Sequence, residues 1–243
     1  MPVDSRSNDV LVIILAYNEE KNVGSVIDDV RKYFCMADIL VVDDGSEDNT
    51  AGVAVEKGVF FVRHVFNLGI GASLETAFRF ACINGYEYIV RMDADGQHRA
   101  YCIQDLIGPV KTGEIDIAIG SRFLGKSEFK TSFLRTCGIR LIAAFLRLIT
   151  GVAITDPTSG FCAMSKKAFL FFADNCADDY PEPEILIYHR DFRIKEIPIS
   201  IAPRRAGVSS ITPGKSVYYM YKVMFSILLI RLKSIHCFSW KHV

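Results

Sequence analysis

The sequence predicts an α/β fold built on a mostly parallel central sheet flanked by helices, and three observations carry that prediction. Apolar runs alternate with helix-periodic segments through the first hundred residues, the habit of chains that cross over from strand to parallel strand. The runs are continuous rather than alternating, as strands buried on both faces require. Half of the 243 residues are hydrophobic and 23% are charged, which suits one large core and excludes a disordered chain.

In chain order, Val10 to Leu15 is the first strand. Val23, Val26, Ile27, Val30 and Phe34 then recur at helical spacing, with Asn18 as the expected cap. Ile39 to Val42 is a second strand, stopped by Asp43-Asp44-Gly45-Ser46, and Val59 to Val62 a third. After a Gly-rich turn, Leu74, Ala77, Phe78, Ala81 and Cys82 mark another helix. Tyr88 to Met92 is a fourth strand ended by Asp93-Ala94-Asp95-Gly96, and Ile115 to Ile119 a fifth. Beyond Gly120 the periodicity is less regular. Gly138 to Thr150 reads as an amphipathic helix with Arg140 and Arg147 on its polar side, and Thr155 to Gly160 as a loop. Phe192 to Ile199 reads as a strand that Pro198 places at an edge.

Residues 1–212 are expected to form one domain and 213–243 an amphipathic C-terminal segment. Lys222 splits its apolar run, which stays well short of the roughly 20 residues that span a bilayer. A core helix and a helix lying in a membrane interface both remain open for it.

Equal counts of basic and acidic residues, 28 of each, argue against a nucleic-acid partner. The seven cysteines include no C-x-x-C pair, so buried free thiols are expected in place of a zinc site or disulfide framework. The polar N-terminus followed by a short apolar run does not read as a signal peptide, and a cytoplasmic location is expected.

Ligands of open parallel sheets bind at the carboxyl ends of strands. Asp43 and Asp44 fall at one such end, Asp93 and Asp95 at another. Converging carboxylates repel, so a divalent cation is the economical reason for gathering them. In extended chain, Asp93 and Asp95 would leave the same face, and Gln97 would continue the alternation as a further oxygen ligand. Asn67-Leu68-Gly69-Ile70-Gly71 would supply backbone amides near a helix start. No G-x-x-x-x-G-K-S/T loop is present and the glycines fit no dinucleotide fingerprint, which leaves a nucleotide held through a metal and carboxylates, as in sugar-nucleotide transfer.

Six elements in order now carry a resemblance: Ala16-Tyr17-Asn18-Glu19-Glu20, Val41-Val42-Asp43-Asp44-Gly45-Ser46, Asn67-Leu68-Gly69, Asp93-Ala94-Asp95-Gly96-Gln97, Gly120-Ser121-Arg122 and Asp156-Pro157-Thr158-Ser159-Gly160-Phe161. Over residues 10 to 210 the chain resembles family 2 glycosyltransferases of the GT-A fold, within them the dolichyl- or polyprenyl-phosphate mannose and glucose synthases. The resemblance implies an inverting hexosyl transfer from a UDP- or GDP-sugar to a polyprenyl phosphate or lipid-linked glycan. It implies that Ala16, Tyr17, Glu19, Asp44, Asn67, Gly69 and Asp93 hold the nucleotide sugar, and that Arg205 and Ser209 close over its diphosphate. Asp95, with Asp93 and Gln97, would bind Mg2+ or Mn2+. Arg122, Arg135, Ser159 and Gly160 would receive the acceptor, Arg122 because its planar fork suits a phosphate. Asp156 and Glu184 are the acid-base carboxylates to expect, needed for a hydroxyl acceptor and not for an ionised phosphate. Arg99 stands where the family commonly has proline. Peripheral contact with a membrane and a homo-oligomer are both compatible with the resemblance. Transfer to a saccharide hydroxyl and a metal-dependent nucleotidyltransferase are the competing readings; the second lacks the basic, Gly-rich start of the first helix.

Overall fold

A computed structural model describes residues 8–124, 133–175, 181–202 and 220–229, with the side chains of 133–135 and 184 outside that description. The chain runs β1 (Val10–Ala16), α1 (Val23–Tyr33), β2 (Ala37–Asp43), α2 (Thr50–Glu56), β3 (Phe60–Arg63), α3 (Ile70–Ile83) and β4 (Tyr88–Asp93). A 3₁₀ turn then leads into α4 (Ile103–Lys111). There follow β5 (Ile117–Ser121), α5 (Phe133–Thr150), β6 (Cys162–Ser165), α6 (Lys166–Asn175), α7 (Pro181–Ile185) and β7 (Ile194–Pro198). A last helix, α8, covers 220–229.

The strands form one sheet in the order β3-β2-β1-β4-β6-β5-β7. All pairings are parallel except those of β6, which runs antiparallel to both β4 and β5. β1 is apolar and buried along its whole length because helices cover both of its faces. Leu11, Ile13 and Leu15 share one core with Leu74 and Phe78 of α3, Phe169 of α6 and Val223 of α8. Val10, Val12 and Ile14 share the other with Val26 and Ile27 of α1 and Leu106 of α4. β7 lies at the edge, where the proline at its end lacks no ladder partner.

The helices α2, α4, α6 and α7 and the strand β6 escaped the sequence reading. β6 is four residues long and alternates with no turn signal; it becomes a strand because β4 and β5 leave a gap that only an added ladder fills. α6 follows it without a break, beginning at Lys166. Asn18 does not cap α1: the helix starts at Val23, after Asn22, while Asn18 sits at φ 55° in the loop before it. Of the five described cysteines, all are free, but Cys35 and Cys137 are exposed, not buried as expected.

The order β2-β1-β4 is what assembles a site. In register, Asp43 stands opposite Ala16 and Asp93 opposite Leu15, so both acidic strand ends flank the end of β1. Backbone bonds tie them there: Asp44 N donates to Ala16 O at 2.9 Å, and Ala94 N to Leu15 O at 3.0 Å. The chain goes to one side of β1 for β2 and β3 and to the other for β4, the switch point at which such sheets bind ligands.

Candidate active site

The loops after β1 and β2 are woven into one pad. Asn18 N donates to Ser46 Oγ at 2.8 Å and Glu47 N to Asn18 Oδ1 at 2.9 Å. Glu19 N donates to Thr50 Oγ1 at 2.8 Å, and the Glu19 carboxylate accepts from Asn22 Nδ2 at 2.6 Å. The left-handed backbone of Asn18 makes this crossing, which explains an asparagine there better than capping does. Asp43 is fully buried and turns inward, accepting from Ser46 N at 3.0 Å and from Ser46 Oγ, with Arg63 Nε 3.2 Å away. Tyr17 is exposed on the surface of the pad.

Asp44 organises the next loop. Its carboxylate accepts from Leu68 N and Gly69 N, each at 2.9 Å, and from His64 Nδ1 at 2.8 Å, while His64 Nε2 bonds Thr76 Oγ1 at 2.9 Å. The Leu68 and Gly69 amides, part of the segment expected to supply backbone donors near a helix start, are thus spent on an internal carboxylate. Gly45, at φ 73°, lets this loop close: a Cβ there would lie 2.5 Å from the Phe66 carbonyl carbon. Asp44→Ala should therefore cost about 1–3 kcal/mol in a denaturant titration, because two amides and an imidazole lose their acceptor. Unchanged stability would mean that the loop is held by something else.

At the end of β4 the chain turns at once. Asp95 Oδ1 accepts from Gln97 N at 3.0 Å and Gly96 takes φ 74°, so residues 93–97 form a turn and not the extended segment that would alternate side chains. Asp93 N donates to His98 Nδ1 at 3.2 Å, which leaves the ring proton on Nε2. His98 stacks on Phe161 at 4.9 Å and 18°. Burial holds its pKa below the usual histidine value although Asp93 and Asp95 both pull it upward, so the imidazole is a neutral group within electrostatic reach of both carboxylates. Arg122 and Arg91 act on the same ring, which places their charges at this loop too.

Among the described residues no three acidic, histidine or cysteine side chains are grouped to hold a metal ion. That is compatible with Mg2+ or Mn2+, which take one or two carboxylates and complete their shell with substrate phosphates and water. The Asp93 carboxylate accepts no hydrogen bond among the described residues, its nearest cation being Arg91 Nη2 at 3.8 Å, and it lies against Gly160, whose absent Cβ would fall 3.1 Å from Oδ2. Asp93 thus presents a carboxylate able to take one position of such an ion, and Asp95 lies in the turn two residues on.

Just after β5 the structure joins two residues that the sequence reading treated separately. Arg122 Nε and Nη2 each donate to Asp156 at 2.6 Å, one to each oxygen, Arg122 N adds a third bond at 3.1 Å, and Nη2 reaches Thr158 Oγ1 at 2.8 Å. Asp156 is wholly buried and its amide is held by Glu196 at 2.7 Å. Both of its oxygens accept from Arg122, so in this structure it orients that guanidinium. Ser159 is buried, with Oγ 3.4 Å from Phe161 N. Gly160 is the close-packed neighbour of Asp93.

Glu184 has no described side chain, but Glu182 of the same Pro-Glu-Pro-Glu run bonds Arg91 Nη2 at 2.5 Å. Neither Glu182 nor Arg91 was singled out in the sequence. An arginine in an otherwise apolar strand, two residues before Asp93, was the available signal. Asn67 is exposed and Ala16 is buried. Arg135 contributes only its helical backbone to the description, and Arg205 and Ser209 lie outside the described residues. Ala202 N donates to Gln97 O at 2.9 Å, which places Ala202 beside the Asp95 turn.

A mostly parallel sheet covered on both faces, with acidic strand ends converging at its switch point, defines the GT-A class of glycosyltransferases. The chain belongs to Glycosyl transferase family 2, whose profile matches residues 11–171. It is 30% identical to the polyprenol monophosphomannose synthase of Mycolicibacterium smegmatis over 88% of this chain and 84% of that one. It is 27% identical to the UDP-N-acetylglucosamine–dolichyl-phosphate N-acetylglucosaminyltransferase of Methanococcus voltae, covering 92% and 96%. Glucosyl-3-phosphoglycerate synthase of Mycobacterium tuberculosis, solved with Mn2+ and UDP-glucose, shares the fold at TM-score 0.69 and 24% identity, covering 91% of this chain and 78% of that one.

Proposed function

We propose that this glycosyltransferase moves a hexose from a UDP- or GDP-sugar to a polyprenyl phosphate, with inversion. The observation that carries the acceptor assignment is the Arg122–Asp156 pair: both Asp156 oxygens already accept from Arg122, which holds the guanidinium at the strand end and offers no free carboxylate oxygen there as a base. An ionised phosphate has no proton to surrender, so it suits this arrangement, whereas a sugar hydroxyl needs a base. The names of the Mycolicibacterium and Methanococcus relatives support the same acceptor class.

In this reading a phosphate oxygen of the lipid forms the new bond to the anomeric carbon as the carbon–oxygen bond to the nucleoside diphosphate breaks on the opposite face. Asp93 and Asp95 would hold Mg2+ or Mn2+, with Gln97 near them, and that ion supplies Lewis-acid stabilisation of the departing diphosphate. Asp44 keeps the loop of Asn67 and Gly69 in place, and a carboxylate with about four acceptor sites can still receive a ribose hydroxyl or base N–H. Tyr17, Glu19 and Ala16 form the pad on which the nucleoside lies. Arg122, held by Asp156, receives the lipid phosphate, with Ser159 and Gly160 as its floor. Arg135, Glu184, Arg205 and Ser209 complete the assignments by resemblance. The test is a donor screen over UDP- and GDP-sugars with Mn2+ and a short polyprenyl phosphate. Product on a saccharide in place of the lipid phosphate would overturn the acceptor assignment.

A membrane-facing side accompanies this reading. Among the described residues no helix is long and apolar enough to cross a membrane. α8 buries Val223 and Ile227 against Ile142 and Leu146 of α5. Tyr221 and Phe225 of the same helix are exposed, as are Leu148 of α5, at 82%, and Arg140 and Arg147. Apolar and cationic side chains together suit an anionic lipid surface. Leu148→Glu with Phe225→Glu should cut cosedimentation with phosphatidylglycerol vesicles at least several-fold without lowering the melting temperature; undiminished binding counts against this face.

A further inference from the structure

Arg91 lies within β4 with 1% of its surface exposed, among the apolar residues of the face that α3, α5 and α6 cover. Its neighbour on that face of the strand, Ile89, is apolar. Nη2 bonds Glu182 Oε1 at 2.5 Å and stands 3.8 Å from Asp93 Oδ1, while Nε has no hydrogen-bond partner. A Cβ at residue 160 would fall 3.1 Å from Arg91 Nη2 and 3.1 to 3.2 Å from the Asp93 oxygens, so glycine is what admits the guanidinium and that carboxylate together. Burial works against the guanidinium charge, but Glu182 and then Asp93 more than offset it, and the residue stays protonated.

A buried ion pair is at best neutral for stability compared with well-packed apolar side chains. Holding the fold together is thus a poor reason for an arginine here, and its position two residues below Asp93 supplies a better one. The three groups carry a net charge of −1: Asp93 and Glu182 negative, Arg91 positive. Glu182 offsets the cation that would otherwise repel a second cation arriving at Asp93.

We propose that Arg91 and Glu182 are positioning residues that set the charge and orientation of Asp93 and so tune how tightly the Asp93–Asp95 pair holds a divalent cation. The inference rests on the reading of those two aspartates as cation ligands. Its mark is a pair of changes opposite in sign. Glu182→Gln removes the offsetting charge and should weaken binding of Mn2+ to the donor-free protein by roughly fivefold to tenfold, the scale of one charge lost within a few ångströms of the site. Arg91→Met should tighten it, and Arg91→Lys, which keeps the charge, should stay within about twofold.

Calorimetric titration of each variant with MnCl2 alone, at pH 7.5 and with melting temperatures recorded, reads these shifts without any turnover. A merely structural pair would weaken Mn2+ binding in both charge-changing variants. If Arg91→Met does not fold, Glu182→Gln against Arg91→Lys still decides. Glu182→Gln binding Mn2+ like the unaltered protein, or Arg91→Met weakening it, overturns the inference. An unaltered protein that takes up no Mn2+ overturns the cation reading beneath it, a result distinct from the other two.

Discussion

Asp95→Asn is expected to lower sugar-nucleotide turnover about 10³-fold while leaving the melting temperature nearly unchanged. The asparagine retains an oxygen that can accept from Gln97 N, the bond that Asp95 makes at 3.0 Å, so the turn survives. What is lost is one of two carboxylate charges, and with it a cation whose stabilisation of a leaving diphosphate is worth several kcal/mol. A 10³-fold loss corresponds to roughly 4 kcal/mol of transition-state stabilisation. Release of UDP or GDP in the presence of Mn2+ is the measurement. Turnover within a few-fold of the unaltered enzyme would remove Asp95 from the cation site and, with it, the proposed means of activating the donor.

The second large effect separates Arg122 from Asp156. Arg122→Ala should reduce kcat/KM for a polyprenyl phosphate by about 10²- to 10³-fold, because the proposed phosphate contact is a charge-assisted one made by the guanidinium. It should also cost about 3–5 kcal/mol of stability, since a wholly buried carboxylate is left without its partner. Asp156→Asn should cost less activity. The double variant Arg122→Ala/Asp156→Asn should be as inactive as Arg122→Ala and more stable, because the orphaned charge has gone. Non-additivity of this kind is what a carboxylate acting through an arginine produces. If Asp156→Asn alone is the more damaging change, and its loss multiplies that of Arg122→Ala, the carboxylate takes a proton directly and a hydroxyl acceptor becomes the better assignment.

Most of the sheet was readable because its strands are long apolar runs between acidic or glycine-rich stops: Val10–Ala16 and Tyr88–Asp93 depend on nothing distant to be strands. β6 was not readable, since four residues acquire a ladder only when β4 and β5 stand on either side of them. The acidic motifs were likewise visible, but their division of labour was not. Asp43 and Asp44 are adjacent and chemically identical, yet one turns inward to Ser46 and Arg63 and the other holds the loop of Leu68 and Gly69. Alternation of side chains gave the wrong picture of Asp93, Asp95 and Gln97, because Gly96 bends the chain before an extended geometry can be reached.

Local order in the chain determined the fold class, the family and the pair of strand ends where chemistry gathers, since apolar periodicity and turn residues act over a few neighbours. Tertiary structure alone decided which charges meet. Arg122 and Asp156 are separated by 34 residues and Arg91 and Glu182 by 91, and no spacing rule links such partners. One member of each pair, Asp156 and Arg91, is buried, and a buried charge must find its counter-charge wherever folding brings one within reach.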